Sequence, residues 1–227
     1  MFETIKCISD EDWKSHRVIG GSSAACIVGH NPYKTAQELW AEIIGQKEPE
    51  DISDKPYVIF GKKAEEHIRN IFALKYVDEY EVINPTTVEK EGYIEVFRRT
   101  DKPFMTATCD GFLVDKETGE TGILEIKTCD ILSSHQKEKW KDGIPMNYYC
   151  QILHYMAVRQ DCTFAIVYAY LSYKAPNGET WQVLRPYCFS KKDPQVKADV
   201  EWLEEEETNW WNKYVVTRIE PPVTVNI

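Results

Sequence analysis

From residue 92 the chain leaves helical spacing for short-period alternation, and this change limits the possible folds more than any other feature. Residues 92–97 (GYIEVF), 105–115 (MTATCDGFLVD) and 121–128 (TGILEIKT) read as strands, with Glu117-Thr118-Gly119-Glu120 as a hairpin-type turn between the last two. The preceding residues carry helix signals. Residues 21–29 start small, turn apolar and end in glycine. Residues 35–45 begin at Thr35 as N-cap, with Glu38 three residues on and Gly45 at the end. About 57–75, Ile59, Ala64, Ile68, Ile71 and Phe72 recur at near-helical spacing. After the strands come a short helix at 133–141, an amphipathic helix at 146–159 and a buried strand at 163–172. A turn at Ala175-Pro176-Asn177-Gly178 then leads to a strand at 180–189, and an acidic, Trp-bearing helix covers 193–214. This order predicts an α/β chain: a central mixed β-sheet flanked by helices. We expect one domain over 1–227, with an N-terminal helical part about 1–78 and a sheet-and-helix part about 79–227.

Composition excludes several classes. No apolar run approaches the roughly 18 residues of a membrane span, and the N-terminus MFETIKCISDEDW lacks an apolar signal core, so a cytoplasmic protein is expected. Cys7, Cys26, Cys109, Cys129, Cys150, Cys162 and Cys188 form no C-x-x-C pair, which argues against a zinc ribbon or a cysteine-held iron–sulfur cluster and for reduced thiols. A net charge of −10 counts against nucleic-acid binding, because phosphate contacts need Lys and Arg. Binding, however, depends on the local field. The acids gather at Glu201, Glu204, Glu205, Glu206 and Glu207, whereas basic residues cluster at Lys62-Lys63, Arg98-Arg99 and Lys137, Lys139 and Lys141. A basic groove on an acidic body is compatible with these counts.

The chemistry concentrates at Asp110-Gly111 and Glu125-Ile126-Lys127. If the turn at 117–120 makes a hairpin, the ends facing away from it bring Asp110 near Glu125 or Lys127, and period-two alternation puts Glu125 and Lys127 on one face. An isolated E-x-K reads as a solvated strand face. Here Ile123, Leu124 and Ile126 flank the charges, so they sit on a strand that otherwise looks buried. Two close carboxylates repel, and a hard divalent cation relieves that repulsion; oxygen-only ligands favour Mg²⁺ or Mn²⁺.

These residues carry a resemblance. Asp110 with Glu125-Ile126-Lys127 resembles the D…(D/E)-x-K signature of the PD-(D/E)XK nuclease superfamily, with Cys109 where a proline often precedes the aspartate. Arg17-Val18-Ile19-Gly20-Gly21-Ser22-Ser23-Ala24-Ala25, with Gly29, resembles the R-x-I-G-G-S-D opening of phage-type recombination exonucleases, with Ser23 at the usual Asp. Phe60-Gly61-Lys62-Lys63-Ala64-Glu65 resembles their (W/F)-G-x-x-x-E helix. Tyr148-Tyr149-Cys150-Gln151 with Met156 resembles their Y-x-x-Q helix. Four blocks in order across about 15–172 are similar to the lambda exonuclease, or YqaJ-like viral recombinase, family.

The resemblance implies a restriction-endonuclease-like core and a Mg²⁺-dependent 5′→3′ exonuclease on duplex DNA. Such an enzyme releases 5′-mononucleotides and leaves 3′ single strands for phage-type recombination. It implies Asp110, Glu125, the Ile126 carbonyl and Glu65 as metal ligands, with two ions per site and Mn²⁺ able to substitute. Lys127 matches the lysine that positions the attacking water, and Gln151 a glutamine beside the site that contacts DNA or the nucleophile. Arg17, Ser22 or Ser23, and Thr108 match residues holding a 5′-phosphate, and His154, one turn from Gln151, falls behind the site or in the core. The implied partners are 5′-phosphorylated duplex ends, two further copies in a ring-shaped trimer and a single-strand annealing protein, in a bacterial cytoplasm from a phage or prophage gene. Alternatives within the same superfamily and fold are an endonuclease of restriction or repair type, and a non-catalytic DNA-binding module. Arg suits phosphate as a planar fork, and Gly20-Gly21-Ser22 opening a helix offers free N–H groups to an anion.

Overall fold

The computed structural model describes residues 1–174 and 177–223. The chain runs β1 (Phe2–Cys7), α1 (Asp10–His16), α2 (Gly21–Ile27), α3 (Ala36–Ile43), α4 (Pro56–Lys75), β2 (Tyr80–Ile83), α5 (Val88–Glu91), β3 (Ile94–Arg99) and β4 (Thr106–Ala107). It continues through β5 (Gly111–Asp115), β6 (Thr121–Ile131), α6 (Ser134–Lys139), α7 (Met146–Val158), β7 (Cys162–Lys174), β8 (Thr180–Ser190) and α8 (Pro194–Trp210), with a π-helical turn at Trp211–Val215. Among the described residues no helix is long and apolar enough to cross a membrane.

A five-stranded sheet of order β2-β5-β6-β7-β8 forms the centre. The β6–β7 pair is parallel and the other pairs are antiparallel, so the sheet is mixed. A parallel pair needs a crossover, which the segment carrying α6 and α7 supplies. Alternation along β6 sends Leu124 and Ile126 to one face, where Ile68 and Phe72 of α4 pack with Leu113 and Tyr168. It sends Ile123 to the other, where Ile152, Leu153 and Met156 of α7 meet Ala165 and Val167. Glu125 and Lys127 share this second face. The capping box Thr35/Glu38 is formed, and Gly45 follows α3 at φ +77°.

The structure departs from the sequence reading in several places. The helical segment 1–78 begins with a strand, β1, which pairs with β3, and β3 pairs with β4, in a separate three-stranded sheet. The residues 105–115, which alternate as one strand, are cut in two: Thr106–Ala107 joins the small sheet and Gly111–Asp115 the large one. Asp110 sits on the crossing between them. The final helix keeps its expected extent but turns from α to π geometry after Trp210, through Val215. The turn expected at Ala175-Pro176 lies outside the described residues; Asn177 and Gly178 lie within them, Gly178 at φ +87°. Arg98 pairs with Glu3, and buried Arg99 pairs with Asp101 and Glu204, so this basic pair is spent on structure.

Candidate active site

The β5–β6 hairpin pairs Gly111 with Leu124, which sets Asp110 just beyond the last pair, across from Glu125. There the Asp110 Oδ2 accepts the Ile126 N–H at 2.8 Å. In an extended strand a residue's N–H and C=O face the same neighbour, so the Ile126 carbonyl also points to the Asp110 side. Lys127 Nζ donates to Glu125 Oε1 at 2.6 Å. Glu125 is 2% exposed, and its Oε2 is buried with no hydrogen-bond partner among the described residues. These residues line an open cleft of about 390 Å³ together with Glu65, Gln151, Arg17, Thr108 and Tyr148.

α4 brings Glu65 to the cleft and holds it with Arg69, one turn on. Arg69 Nη1 donates to Glu65 Oε1 at 2.9 Å and to the Asp110 carbonyl, while its Nε donates to Asn84 Oδ1 at 3.2 Å. Arg69 is 6% exposed and had no place in the sequence reading. Its one legible signal is the i,i+4 spacing from Glu65. A side chain at position 111 would come within 3.3 Å of Arg69 Cδ, so Gly111 keeps that approach open. Arg69→Leu strips two carbonyl oxygens and a carboxylate of their shared donor. It should destabilise the fold by roughly 3 kcal/mol, the scale for breaking a buried pair; chemical denaturation measures it, and a loss under 1 kcal/mol would contradict the assignment.

α7 supplies Gln151 from the other side. Its Nε2 donates to Glu125 Oε1 at 2.7 Å and lies 2.9 Å from the Tyr155 hydroxyl. Tyr148 faces the cleft with Lys127 Nζ 5.0 Å from its ring centroid, whereas Tyr155 is core and Tyr149 bonds Asp199. His154 does not line the cleft. It is fully buried between Glu207 and the Thr106 carbonyl. His67 on α4 is exposed.

At the far end, Arg17 Nη2 donates to Ser22 Oγ at 2.8 Å. A side chain at Gly20 would collide with Arg17 Nε at 2.5 Å, and one at Gly21 with Tyr155 at 2.5 Å, so both glycines allow this close packing. α2 has only seven residues, and the Ser23 and Ala24 N–H groups already bond the Gly20 carbonyl, leaving the side chains as the main anion donors. Neither serine lines the cleft itself; Ser22 is the one that Arg17 holds. Trp13, unremarked in the sequence, stacks under Arg17 at 5.0 Å and donates from Nε1 to Thr108 Oγ1 at 3.0 Å.

The electrostatics follow from crowding of acids. Burial, then the charge of Glu125, pushes the Asp110 carboxyl up to about 7. Burial likewise raises Glu125 and Glu65, with repulsion from Asp110 adding to Glu65. Burial alone would lower Lys127, but Glu125 and Asp110 outweigh it and raise it, so the amine stays an ammonium. The donor set is oxygen throughout, and the bare Glu125 Oε2 is where a cation would be satisfied. The residues therefore fit a hard divalent ion. Glu65 is drawn toward Arg69 and Glu125 toward Lys127. Among the described residues, three ligand atoms within 4.8 Å of one another occur elsewhere, at Cys7, Asp12 and His16. There Asp12 already accepts the Ile8 N–H and pairs with His16 as part of the α1 cap.

Comparison with known proteins places the chain in a family and shows its fold. Residues 11–163 match the YqaJ-like viral recombinase domain. The chain is 31% identical over 154 residues to the uncharacterized protein YqaJ of Bacillus subtilis (strain 168), covering 66% of this chain and 43% of that protein. The chain thus spans under half the length of that relative. Among solved structures, a phage related exonuclease from Haemophilus somnus 129PT superposes with a TM-score of 0.52 at 14% identity, over 89% of this chain and 97% of the other. LHK-Exo, an alkaline exonuclease from Laribacter hongkongensis, in complex with dAMP, gives 0.50 at 16% identity, over 92% and 99%. At these identities the likeness is one of fold: the PD-(D/E)XK core, a mixed sheet flanked by helices.

Proposed function

The chain belongs to the YqaJ-like viral recombinase domain family, and from that premise we propose that it is a Mg²⁺-dependent 5′→3′ exonuclease on duplex DNA. One observation carries the reading: a carboxylate oxygen, Glu125 Oε2, buried without a partner beside Asp110. An ionised oxygen left bare in the interior is costly, and a divalent cation is the partner that an all-oxygen site would accept. Asp110, Glu125 and the Ile126 carbonyl would hold one ion, and Glu65 would help to hold a second. Bound there, such an ion polarises a phosphoryl oxygen and lowers the pKa of water.

The chain's own groups then divide the work. Lys127 offers N–H donors to the attacking water and to charge building on the phosphate. Gln151 fixes Glu125 Oε1, and Oε2 would be the oxygen to hold such an ion. Arg17 and Ser22, with Thr108, bind the 5′-phosphate of the end. Releasing 5′-mononucleotides leaves a 3′ strand, which suits an annealing partner in phage-type recombination. A ring of three copies would reconcile the net charge of −10 with DNA, by turning cations inward and acids outward. The complete D…E-x-K set disfavours a non-catalytic module, since nothing in binding alone calls for a bare carboxylate.

The deciding experiment is a time course on end-labelled linear duplex in Mg²⁺, with EDTA and covalently closed circles as controls. Mononucleotides from the linear form only, abolished by EDTA, is the expected result; cutting of the closed circle would favour an endonuclease. Arg17→Ala should lower the preference for 5′-phosphorylated over hydroxyl ends by about tenfold or more, the scale of a lost charge-assisted phosphate contact. Equal digestion of both ends by the unaltered protein would remove the phosphate pocket.

A further inference from the structure

His154 and Glu207 are both fully buried, and neither lines the cleft. The ring Nε2 lies 2.9 Å from the Thr106 carbonyl oxygen, which can only accept, so Nε2 carries a proton. The ring Nδ1 lies 2.9 and 3.0 Å from the two oxygens of Glu207. A carboxylic acid donating to Nδ1 would bring one oxygen close and leave the other back. Near-equal approach of both fits an N–H aimed between the oxygens of a carboxylate. The geometry is that of an imidazolium with both protons spoken for.

This pair reaches the site through the backbone. Thr106 gives its N–H and its hydroxyl to the Ile19 carbonyl, at 2.9 and 3.2 Å, and its own carbonyl to His154. Two residues on stands Thr108, bonded to Trp13, and two further stands Asp110. We propose that the buried His154–Glu207 pair is a charged brace that positions the Thr106–Asp110 segment, making α8, which lies beyond the matched residues 11–163, part of the working site. His154 and Glu207 are positioning residues, and the activity readout rests on the nuclease reading above.

The brace has a pH limit. Burial alone would lower the His154 pKa, but the Glu207 charge, its hydrogen bond and the Thr106 carbonyl raise it above 6.5. The other groups facing the ring are Arg17, from the α1–α2 connection, and Tyr155 on its own helix, with Cys150 beside Glu207. A histidine raised on folding adds stability that is complete below the unfolded value and lost as pH climbs through the folded one. Loss of either proton then turns a lone pair on a carboxylate or a carbonyl. In Glu207→Gln the neutral ring can donate from Nε2 to Thr106 and accept at Nδ1 from the carboxamide, so the bonds survive without the charge.

The test uses the full chain. Side-chain ¹⁵N NMR at pH 7.5, assigned with His154→Gln, should show both nitrogens of His154 protonated. On 5′-phosphorylated linear duplex in saturating Mg²⁺, kcat should fall at least tenfold across the alkaline range while KM moves less than twofold, and the thermal midpoint should fall with it. Glu207→Gln should lack that alkaline loss in both readouts. A role in packing alone would lower the midpoint evenly and leave the pH profile in place. A neutral His154 at pH 7.5 overturns the brace, as does Glu207→Gln keeping the alkaline loss of the unaltered protein. If the unaltered protein digests no DNA, the nuclease reading falls, while NMR and thermal midpoints still decide the brace.

Discussion

Asp110→Asn is expected to cut hydrolysis of linear duplex by at least about a thousandfold and at the same time to stabilise the metal-free protein. The rate loss follows from removing one of two carboxylates that would share an ion, a contribution of several kcal/mol, with each 1.36 kcal/mol worth a factor of ten. The gain in stability follows from crowding. The Asp110 carboxyl is held up to about 7 by burial and by Glu125, against 3.8 when unfolded. Between those values the folded chain keeps a proton that the unfolded chain has released, so this group lowers stability as pH rises from about 4 to about 7. Asparagine keeps an oxygen for the Ile126 N–H and has no charge to set against Glu125. The difference in thermal midpoint, variant minus unaltered, should therefore grow over that window and then level off. Saturating Mg²⁺ should reverse the order, because the ion binds the unaltered site better. Calorimetry from pH 4 to 9, with and without Mg²⁺, reads both effects. A variant that is active, or less stable than the parent at pH 8 without metal, would refute the shared carboxylate site.

Lys127→Ala is expected to act in the opposite direction on stability and in the same direction on rate. Among the described residues, Lys127 Nζ is the sole charged partner within 4 Å of Glu125, and the two side chains are 16% and 2% exposed. Without it Glu125 loses its ammonium partner and keeps the neutral Gln151 amide, so the metal-free protein should lose about 3–5 kcal/mol, as when one member of a buried pair is removed. Hydrolysis should fall by about 10²–10⁴, the range for a positioned proton-handling group or a transition-state donor. The amine stays charged, so it serves as a donor and not as a base. Adding Mg²⁺ should recover part of the stability, since a cation again faces Glu125, but not the rate. Denaturant titration with paired single-turnover assays distinguishes these. A variant that matches the unaltered rate in saturating Mg²⁺ would show that Lys127 only balances charge.

The contrast between the two variants shows how the site is built. One acid too many makes Asp110 costly to the fold, and one ammonium makes Glu125 tolerable. Such opposed effects are expected where function sets the charges and the core must accommodate them.

What the residues determined by themselves is what depends on near neighbours along the chain. The Thr35/Glu38 box, the hairpin turn before β6 and the shared face of Glu125 and Lys127 need only the periods of helix and strand. The order of the four motif blocks belongs to the same level, and it led to the family. Tertiary structure decided the rest. It cut 105–115 at Asp110, because β4 and β5 answer to different sheets although their alternation is continuous. It gave Glu125 to Gln151 across 26 residues, the Asp110 carbonyl to Arg69 across 41, and His154 to Glu207 across 53. Such pairings depend on which helix a buried polar group meets once the apolar faces have packed. A buried donor or acceptor takes the partner that packing brings within about 3 Å, and no local period encodes that choice.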